Sequence, residues 1–476
     1  MREVGREKRM RVVMKFGGTA VANGEKIKTA ANLVMRSKEA AENMEIVVVT
    51  SAIYAVTDTI YEQANRIAEE GKVEKVKEFV EELQEKHNKI AYWAIDNVQV
   101  LEKVKGEIKE RMAEMEKALV GICLLGELTL RSLDYIGSFG ERLAAPILAG
   151  AIQSAGIDAV HFTGGDVGII TNAEYGSAKL MEGVEQEVRA RIMPLLGDKI
   201  PVVCGFTGET KDEKITTLGR GGSDYTATII GAAIDADEIW LWKDTEGIMS
   251  ADPKRIKNAR KIPYISYIEA MELSYFGAAV LHPRAIEPVM EKKIPIRVKN
   301  LLNPDDEGTL IGEEQEKTKK AAKAITLIEN TSIVNIAGTG IGSISDVASR
   351  IFSVLAAKNV DIIMISHGSS ERTLSLVIDS AQLERAIDAI QSIHAVDTVI
   401  RDISYNSNVC TVGVVGVGMA GTVGVAGKVF SALGNEGISV KMISQGSSEF
   451  NISFVVQKEE AYKAAQAIHD VFEMGS

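Results

Sequence analysis

The sequence is short of several things, and each shortage excludes a class of protein. It has three cysteines, Cys123, Cys204 and Cys410, odd in number and with no C-x-x-C spacing. That excludes a disulfide framework or a cysteine zinc ribbon and suits small buried apolar side chains in a reducing compartment. Aromatic residues make up 5%, too few for platforms that stack single-stranded nucleic acid. Positive charge is in deficit, with 54 Lys and Arg against 66 Asp and Glu, a net −12. Such a surface repels phosphate backbones and anionic lipid headgroups. No apolar run approaches the ~20 residues that span a bilayer. The basic start, MREVGREKRMR, leads into no signal-like run of about 7–15 apolar residues. The expected setting is cytoplasmic, with neither nucleic acid nor membrane as partner.

What is present is ordinary globular material: 46% hydrophobic and 25% charged residues over 476 positions. That length predicts two to four domains. Strands are expected at Arg11–Met14, Ile46–Val49, Pro201–Cys204, Glu238–Trp242 and Ile294–Val298. Most are continuous Val/Ile runs, as in parallel strands covered on both faces. Helical patterns such as Ile27–Met35 and Ala144–Ser154 separate them. The fold class is therefore α/β, a mainly parallel central sheet between helical layers, with ligands expected at the carboxyl ends of the strands. Residues 60–130 are helical in period and heavily charged, and read as a solvated helical insertion. Asn303–Lys320 is polar without apolar period and reads as a linker or exposed edge.

Beyond it lies a duplication. Asn335–Gly340 (NIAGTG) aligns with Gly413–Gly418 (GVVGVG), and Ile365–Glu371 (ISHGSSE) with Ile443–Glu449 (ISQGSSE), both at an offset of 78. Two copies are too few for a solenoid and fit a pair of small βαββαβ modules. Within the second copy, Gly416–Gly421 (GVGMAG) matches the spacing of a dinucleotide loop. Three features argue against that use, one being that the equivalent first-copy loop, Gly338-Thr-Gly340-Ile-Gly342, lacks the third spacing. The next strand ends in Ser444-Gln445 with no carboxylate for a ribose, and only 55 residues follow Gly421. The chain is not expected to carry a fused dehydrogenase.

Five pieces carry chemistry. Lys15-Phe-Gly17-Gly18-Thr ends the first strand and offers an ammonium beside amides free to face one anion. Thr217-Leu-Gly-Arg220-Gly-Gly-Ser223-Asp224 packs an arginine among three glycines before a helix. Capping explains one of Ser223 and Asp224, whereas the arginine suits a ligand carboxylate or phosphate. Ser138-Phe-Gly-Glu141-Arg places an acid in a first helical turn. Lys243-Asp244 through Met249, Asp252 and Lys254 follows a strand and suits a nucleotide with its metal. Ser51 and Thr57 follow the second strand with hydroxyls for a small polar ligand.

Together KFGGT, SFGERL, TTLGRGGSDYTA, DTEGIMSADP, GAAVLHPRAIEP and the twin ISxGSSE repeats resemble the amino-acid kinase family, and within it the aspartate kinases. The resemblance runs from Met10 onward and includes a C-terminal pair like two ACT regulatory modules. It implies the three-layer kinase fold over 1–315, a first ACT module over 316–404 and a second over 405–476. A strand near 323–328 would join the second module. It implies ATP-dependent phosphorylation of the L-aspartate side chain to 4-phospho-L-aspartate, the first step toward lysine, threonine and methionine, under feedback control.

By resemblance, Lys15 and the Gly17 and Gly18 amides hold the γ-phosphate, and Asp224 orders Lys15 or the metal site. Glu141 takes the substrate ammonium and Arg220 its α-carboxylate. Ser51, Thr57, Thr217 and Ser223 line the pocket. Lys243, Asp244, Met249, Asp252, Pro253 and Lys254 flank ATP, and Mg²⁺ is held mainly by the phosphates, with no protein metal cage. Ser366, His367, Ser444, Gln445 and Asn451 lie near an effector, lysine or threonine, and the modules pair chains into at least a dimer. Three positions depart from the family pattern: Lys243 for threonine, Met249 for tyrosine and Ala279 for lysine. Two other readings stand beside this one, an amino-acid sensor without catalysis and a nicotinamide dehydrogenase.

Overall fold

The computed structural model describes residues 9–41, 43–278, 281–315, 321–338, 344–368, 373–394 and 400–475. They fall into two compact units. One comprises the chain up to Ile248 with Pro263–Tyr267 and Leu281–Glu313; the other comprises Met249–Ile262, Ile268–Val280 and the chain from Glu314.

In the first unit an eight-stranded sheet is built from β1 (Arg11–Phe16), β2 (Glu45–Thr50), β3 (Ala159–Phe162), β4 (Ile200–Cys204), β7 (Glu238–Lys243), β8 (Tyr264–Ser266), β9 (Ile296–Asn300) and β10 (Thr309–Gly312). A two-stranded ribbon, β5 (Thr207–Glu209) and β6 (Ile215–Thr217), stands apart. The sheet order is β3-β4-β2-β1-β7-β9-β10-β8, parallel except where β10 runs against β9. All six residues of β2, EIVVVT, are buried, as a strand covered on both faces requires. The covering helices are α1 (Gly24–Ala40), α2 (Val56–Glu70), α3 (Val73–Ala94), α4 (Val98–Leu125), α5 (Leu130–Gly137), α6 (Phe139–Ser154), α7 (Val184–Ile192) and α8 (Gly222–Ala233). The short α10 (Glu287–Met290) comes later in this unit, whereas α9 (Tyr267–Tyr275) falls almost wholly in the second.

Two expectations need correcting. Residues 60–130 are helical, but α3 and α4 are not solvated additions. Val76, Phe79, Val80, Leu83 and Ile90 of α3, with Ile108, Met112 and Met115 of α4, join the main core. Their stripe follows helical spacing and is narrow, so flanking charge hides it in composition. Within Asn303–Lys320, residues Thr309–Gly312 form β10, a strand too short to show a period.

The second unit holds a six-stranded sheet of β11 (Ala324–Gly338), β12 (Ile362–Gly368), β13 (Thr373–Asp379), β14 (Ile400–Val415), β15 (Met442–Ser444) and β16 (Asn451–Gln457). Helices α11 (Ile344–Ala357), α12 (Leu383–His394), α13 (Val425–Asn435) and α14 (Ala461–Val471) accompany it. The order β12-β13-β11-β14-β16-β15 is a palindrome of the two copies. Ala324–Ile328 pairs with Val415–Thr411 of the second copy, while Thr331–Ala337 pairs with β13 of the first. The cores correspond at the same offset of 78: Val334 and Val412, Leu355 and Leu433, Leu376 and Phe454, Ile390 and Ile468. Met249–Ile262 clusters here, interrupting the continuous domain expected over 1–315. The reason is local: Ile325 N–H donates to Ser250 O at 2.8 Å, and Ala251 and Ile256 are buried with Val412 and Ile468.

Candidate active site

The site forms where neighbouring strands end together. Phe16 of β1 stands opposite Trp242 of β7, so the loops that follow meet. Gly17 N–H donates to Trp242 O at 3.2 Å, and Thr19 Oγ1 donates to Asp244 Oδ1 at 3.2 Å. Ser51, just past β2, donates its N–H to Phe16 O at 3.0 Å. Asp224 lies in the first turn of α8, and its Oδ1 is 2.5 Å from Lys15 Nζ, both side chains nearly buried. A methyl group on Gly140 would fall 2.6 Å from Thr57 Oγ1, which brings the start of α6 against α2.

Electrostatics separates the two buried acids. Burial pushes the Asp224 carboxyl up, but the Lys15 and Lys243 ammonium groups outweigh it and hold it below its ordinary value. Burial pushes Glu141 up to about 8, although the Ala52 N–H, the charge of Lys15 and the Ser223 hydroxyl pull the other way. One Glu141 oxygen is buried without a hydrogen bond. Lys243 is pushed down by burial, against the pull of Asp224.

A cavity of about 800 Å³ opens here. Lys15, Gly18, Ser51, Thr57, Glu141, Thr217, Arg220, Ser223 and Asp224 all line it. Arg220 is exposed at its wall, on a loop whose Gly219 and Gly221 have φ of +77° and +73°. Gly17, Lys243 and Asp244 lie at the same strand ends. Met249, Asp252 and Lys254 belong to the second unit, where Met249 bridges to Lys261 and Asp252 Oδ1 accepts the Lys254 N–H at 2.9 Å. Ala279 lies outside the described residues, as does most of the first-copy glycine turn.

Among the described residues no three His, Cys, Asp or Glu side chains converge as metal ligands, and no helix is long and apolar enough to cross a membrane. A Mg²⁺ arriving with a nucleotide would find Asp224 and Asp244 as the carboxylates at these strand ends. The start of the GVGMAG turn is closed to a ligand. A methyl on Gly416 would fall 2.5 Å from Ala321 O, and Val417 N–H is taken by Glu269 Oε1 at 2.8 Å.

In the second unit Ser366 and His367 lie on β12 and Ser444 on β15, with Gln445 just after it. These strands are at opposite ends of the hydrogen-bonded order, yet they lie against one another, with Met364 and Met442 in one cluster. Asn451 Nδ2 donates to Glu272 Oε2 at 2.6 Å.

Among the cavity residues that were not anticipated are Tyr61 and Asp134. Burial first, then the nearby Asp134 and Glu141 charges, keep the Tyr61 hydroxyl protonated. Asp134 is buried on α5 between Leu133 and Tyr135. A carboxylate inside an apolar helical window was the signal that could have found it.

Residues 10–300 match the amino acid kinase family, and 334–393 and 412–472 each match the ACT domain. Aspartokinase 1, chloroplastic, of Arabidopsis thaliana is 34% identical over 472 residues, covering 98% of this chain and 81% of the relative. Escherichia coli aspartokinase III, solved with aspartate and ADP, superposes with a TM-score of 0.81 at 24% identity, over 97% of this chain and 99% of that one. Its structure with lysine and aspartate gives a TM-score of 0.76 at 25% identity, over the same shares. By sequence over nearly its whole length and by fold, the chain belongs to the amino acid kinase family, among the aspartokinases with a C-terminal pair of ACT domains.

Proposed function

We propose that this aspartokinase transfers the γ-phosphoryl group of ATP to the side-chain carboxylate of L-aspartate, giving 4-phospho-L-aspartate and ADP. One observation carries the reading: a single cavity holds the Lys15–Asp224 pair together with the buried acid Glu141, one of whose oxygens has no hydrogen bond, and the exposed Arg220. An amino-acid head needs one partner of each sign. Glu141 takes the ammonium and Arg220 the α-carboxylate, with Ser51, Thr57, Thr217 and Ser223 around them. The β-carboxylate is left to attack phosphorus as the bond to the leaving phosphate oxygen breaks. A free carboxyl of ordinary pKa near 3.9 is already ionised at neutral pH, so no general base is required. Positioning and positive charge do the rest. Lys15, oriented by Asp224, meets the transferring group with the Gly17 and Gly18 amides, and Lys243 adds a second cation at the next strand end. Mg²⁺ held on the phosphates would neutralise their charge.

Lysine or threonine is the effector class we assign to the ACT pair, bound near Ser366, His367, Ser444 and Gln445. The E. coli protein has been solved with lysine. Pairing of chains through the ACT modules and a cytoplasmic setting complete the reading. The test is trapping of aspartyl phosphate as its hydroxamate by hydroxylamine. Product should require ATP, Mg²⁺ and L-aspartate and vanish in Asp224→Ala. Folded protein that binds aspartate but forms no hydroxamate would sink the kinase reading in favour of a sensor.

A further inference from the structure

Asp134 is a hub behind the amino-acid end of the cavity. It is 1% exposed and accepts from three donors. Gly176 N–H lies 2.9 and 3.0 Å from its two oxygens. Thr217 N–H is 2.9 Å from Oδ2, and the Thr217 hydroxyl 2.7 Å from Oδ1. Backbone N–H groups can only donate, so a proton on either oxygen would face a donor; Asp134 is used as an acceptor throughout. The single hydroxyl proton of Thr217 is thereby committed to Asp134. What Thr217 Oγ1 has left are lone pairs, and Thr217 lines the same cavity as Glu141 and Arg220. A hydroxyl ordered in this way accepts from an ammonium and offers nothing to a carboxylate.

The same hub fixes the arginine loop. Ala178 N–H donates to Thr217 O at 2.9 Å. Two residues on, a methyl group on Gly219 would fall 3.1 Å from Ser177 Oγ. The strand that ends at Thr217 is thus laid against residues 176–178, and Arg220 leaves from a fixed point.

We infer that Asp134 is a positioning residue for substrate selection: by holding the proton of Thr217 it turns that hydroxyl into an acceptor for the substrate's α-ammonium group. This rests on the aspartokinase reading and adds a residue that never touches the substrate itself. It predicts that the chain distinguishes an amino-acid dicarboxylate from the same dicarboxylate without its amino group partly through Asp134. An Asn at this position must turn an N–H₂ toward one of the three donors, which releases the Thr217 proton.

The test is steady-state kinetics on the full chain with L-aspartate as substrate and succinate as competitor. Asp134→Asn and Thr217→Val should each raise the KM for aspartate about tenfold or more, the range of a lost hydrogen bond to a charged group. The KM for ATP and the inhibition constant for succinate should stay within about twofold. Thr217→Ser, which keeps the hydroxyl, should recover most of the aspartate affinity that Thr217→Val loses. The double variant Asp134→Asn/Thr217→Val should be no worse than Thr217→Val alone, since both remove one interaction. Should Asp134→Asn fail to fold, Thr217→Val and Thr217→Ser still decide. An unchanged aspartate KM in Thr217→Val, or an equal rise for aspartate, ATP and succinate, overturns the inference and leaves the kinase reading intact. Absence of any acyl phosphate from the parent chain overturns both.

Discussion

At the scale of single residues, the site is held ready by two acids in opposite states. Asp224 is ionised against Lys15, and Glu141 waits with its carboxyl raised to about 8 by burial. If Glu141 takes the substrate ammonium as proposed, it must do so ionised, so aspartate binding displaces a proton below that pH. The KM for aspartate should fall as pH rises from about 6.5 and level off above about 8. Glu141→Gln should bind aspartate weakly at every pH and show no such slope; a flat profile in the parent chain would refute the assignment. The stability sign is the reverse. Because the folded pKa is raised from the ordinary 4.5 to about 8, the ligand-free fold loses stability as pH rises between those two values. A second expectation concerns Lys15. Lys15→Met should lower kcat by about 10²-fold or more, the scale of removing one transition-state charge contact. It should also destabilise the fold by about 3 kcal/mol, because Asp224 is left buried without its ion-pair partner. Thermal melts and single-turnover rates measure the two separately. Of the residues that line the cavity, those set among glycines, such as Lys15 and Arg220, were legible in the sequence, because no packing role competes there. Asp134 was not, because its three donors come from segments 42 and 83 positions away, and no local spacing encodes that.

At the scale of elements, hydrophobic runs were the reliable signal. Most of the five expected strands stood out because parallel strands buried on both faces need unbroken apolar sequence. The short β3, β8 and β10 did not, having four residues or fewer. The α3–α4 pair was legible as helix and misread as solvated. Packing against α1 gives a test. A methyl on Gly24 would fall 2.4 Å from Trp93 Cβ and 2.6 Å from Ile90 O, which is backbone and cannot yield cheaply. Gly24→Ala should therefore cost about 1–3 kcal/mol in urea unfolding while the KM values for aspartate and ATP stay put. An isolated helical addition would show no such loss.

At the scale of the whole molecule, the duplication was legible because its offset never slips, whereas the division into units was not. Nothing in the sequence announces that Met249–Ile262 folds with the C-terminal unit; only the long-range contacts of Ser250, Ala251 and Ile256 do. The shared sheet yields a prediction. β11 is one strand serving both copies, so a chain ending at residue 404 would leave Ala324–Ile328 without Thr411–Val415. Hydrogen exchange should then show lost protection across 324–338 and in β13, not only in the deleted copy's former neighbours. Protection of β13 equal to the full chain would show instead that each copy folds alone.

The constant offset between the two buried cores also means that the chain carries its own matched control. Leu355 and Leu433 are the same residue in the same role, 1% exposed in each copy; Ala386 and Ala464 are another such pair. Any substitution made at one member can be made at its twin, with side chain, solvent and temperature all unchanged. Whatever differs between the two outcomes is owed to context alone, so the regulatory half of this protein is an experiment already run in duplicate.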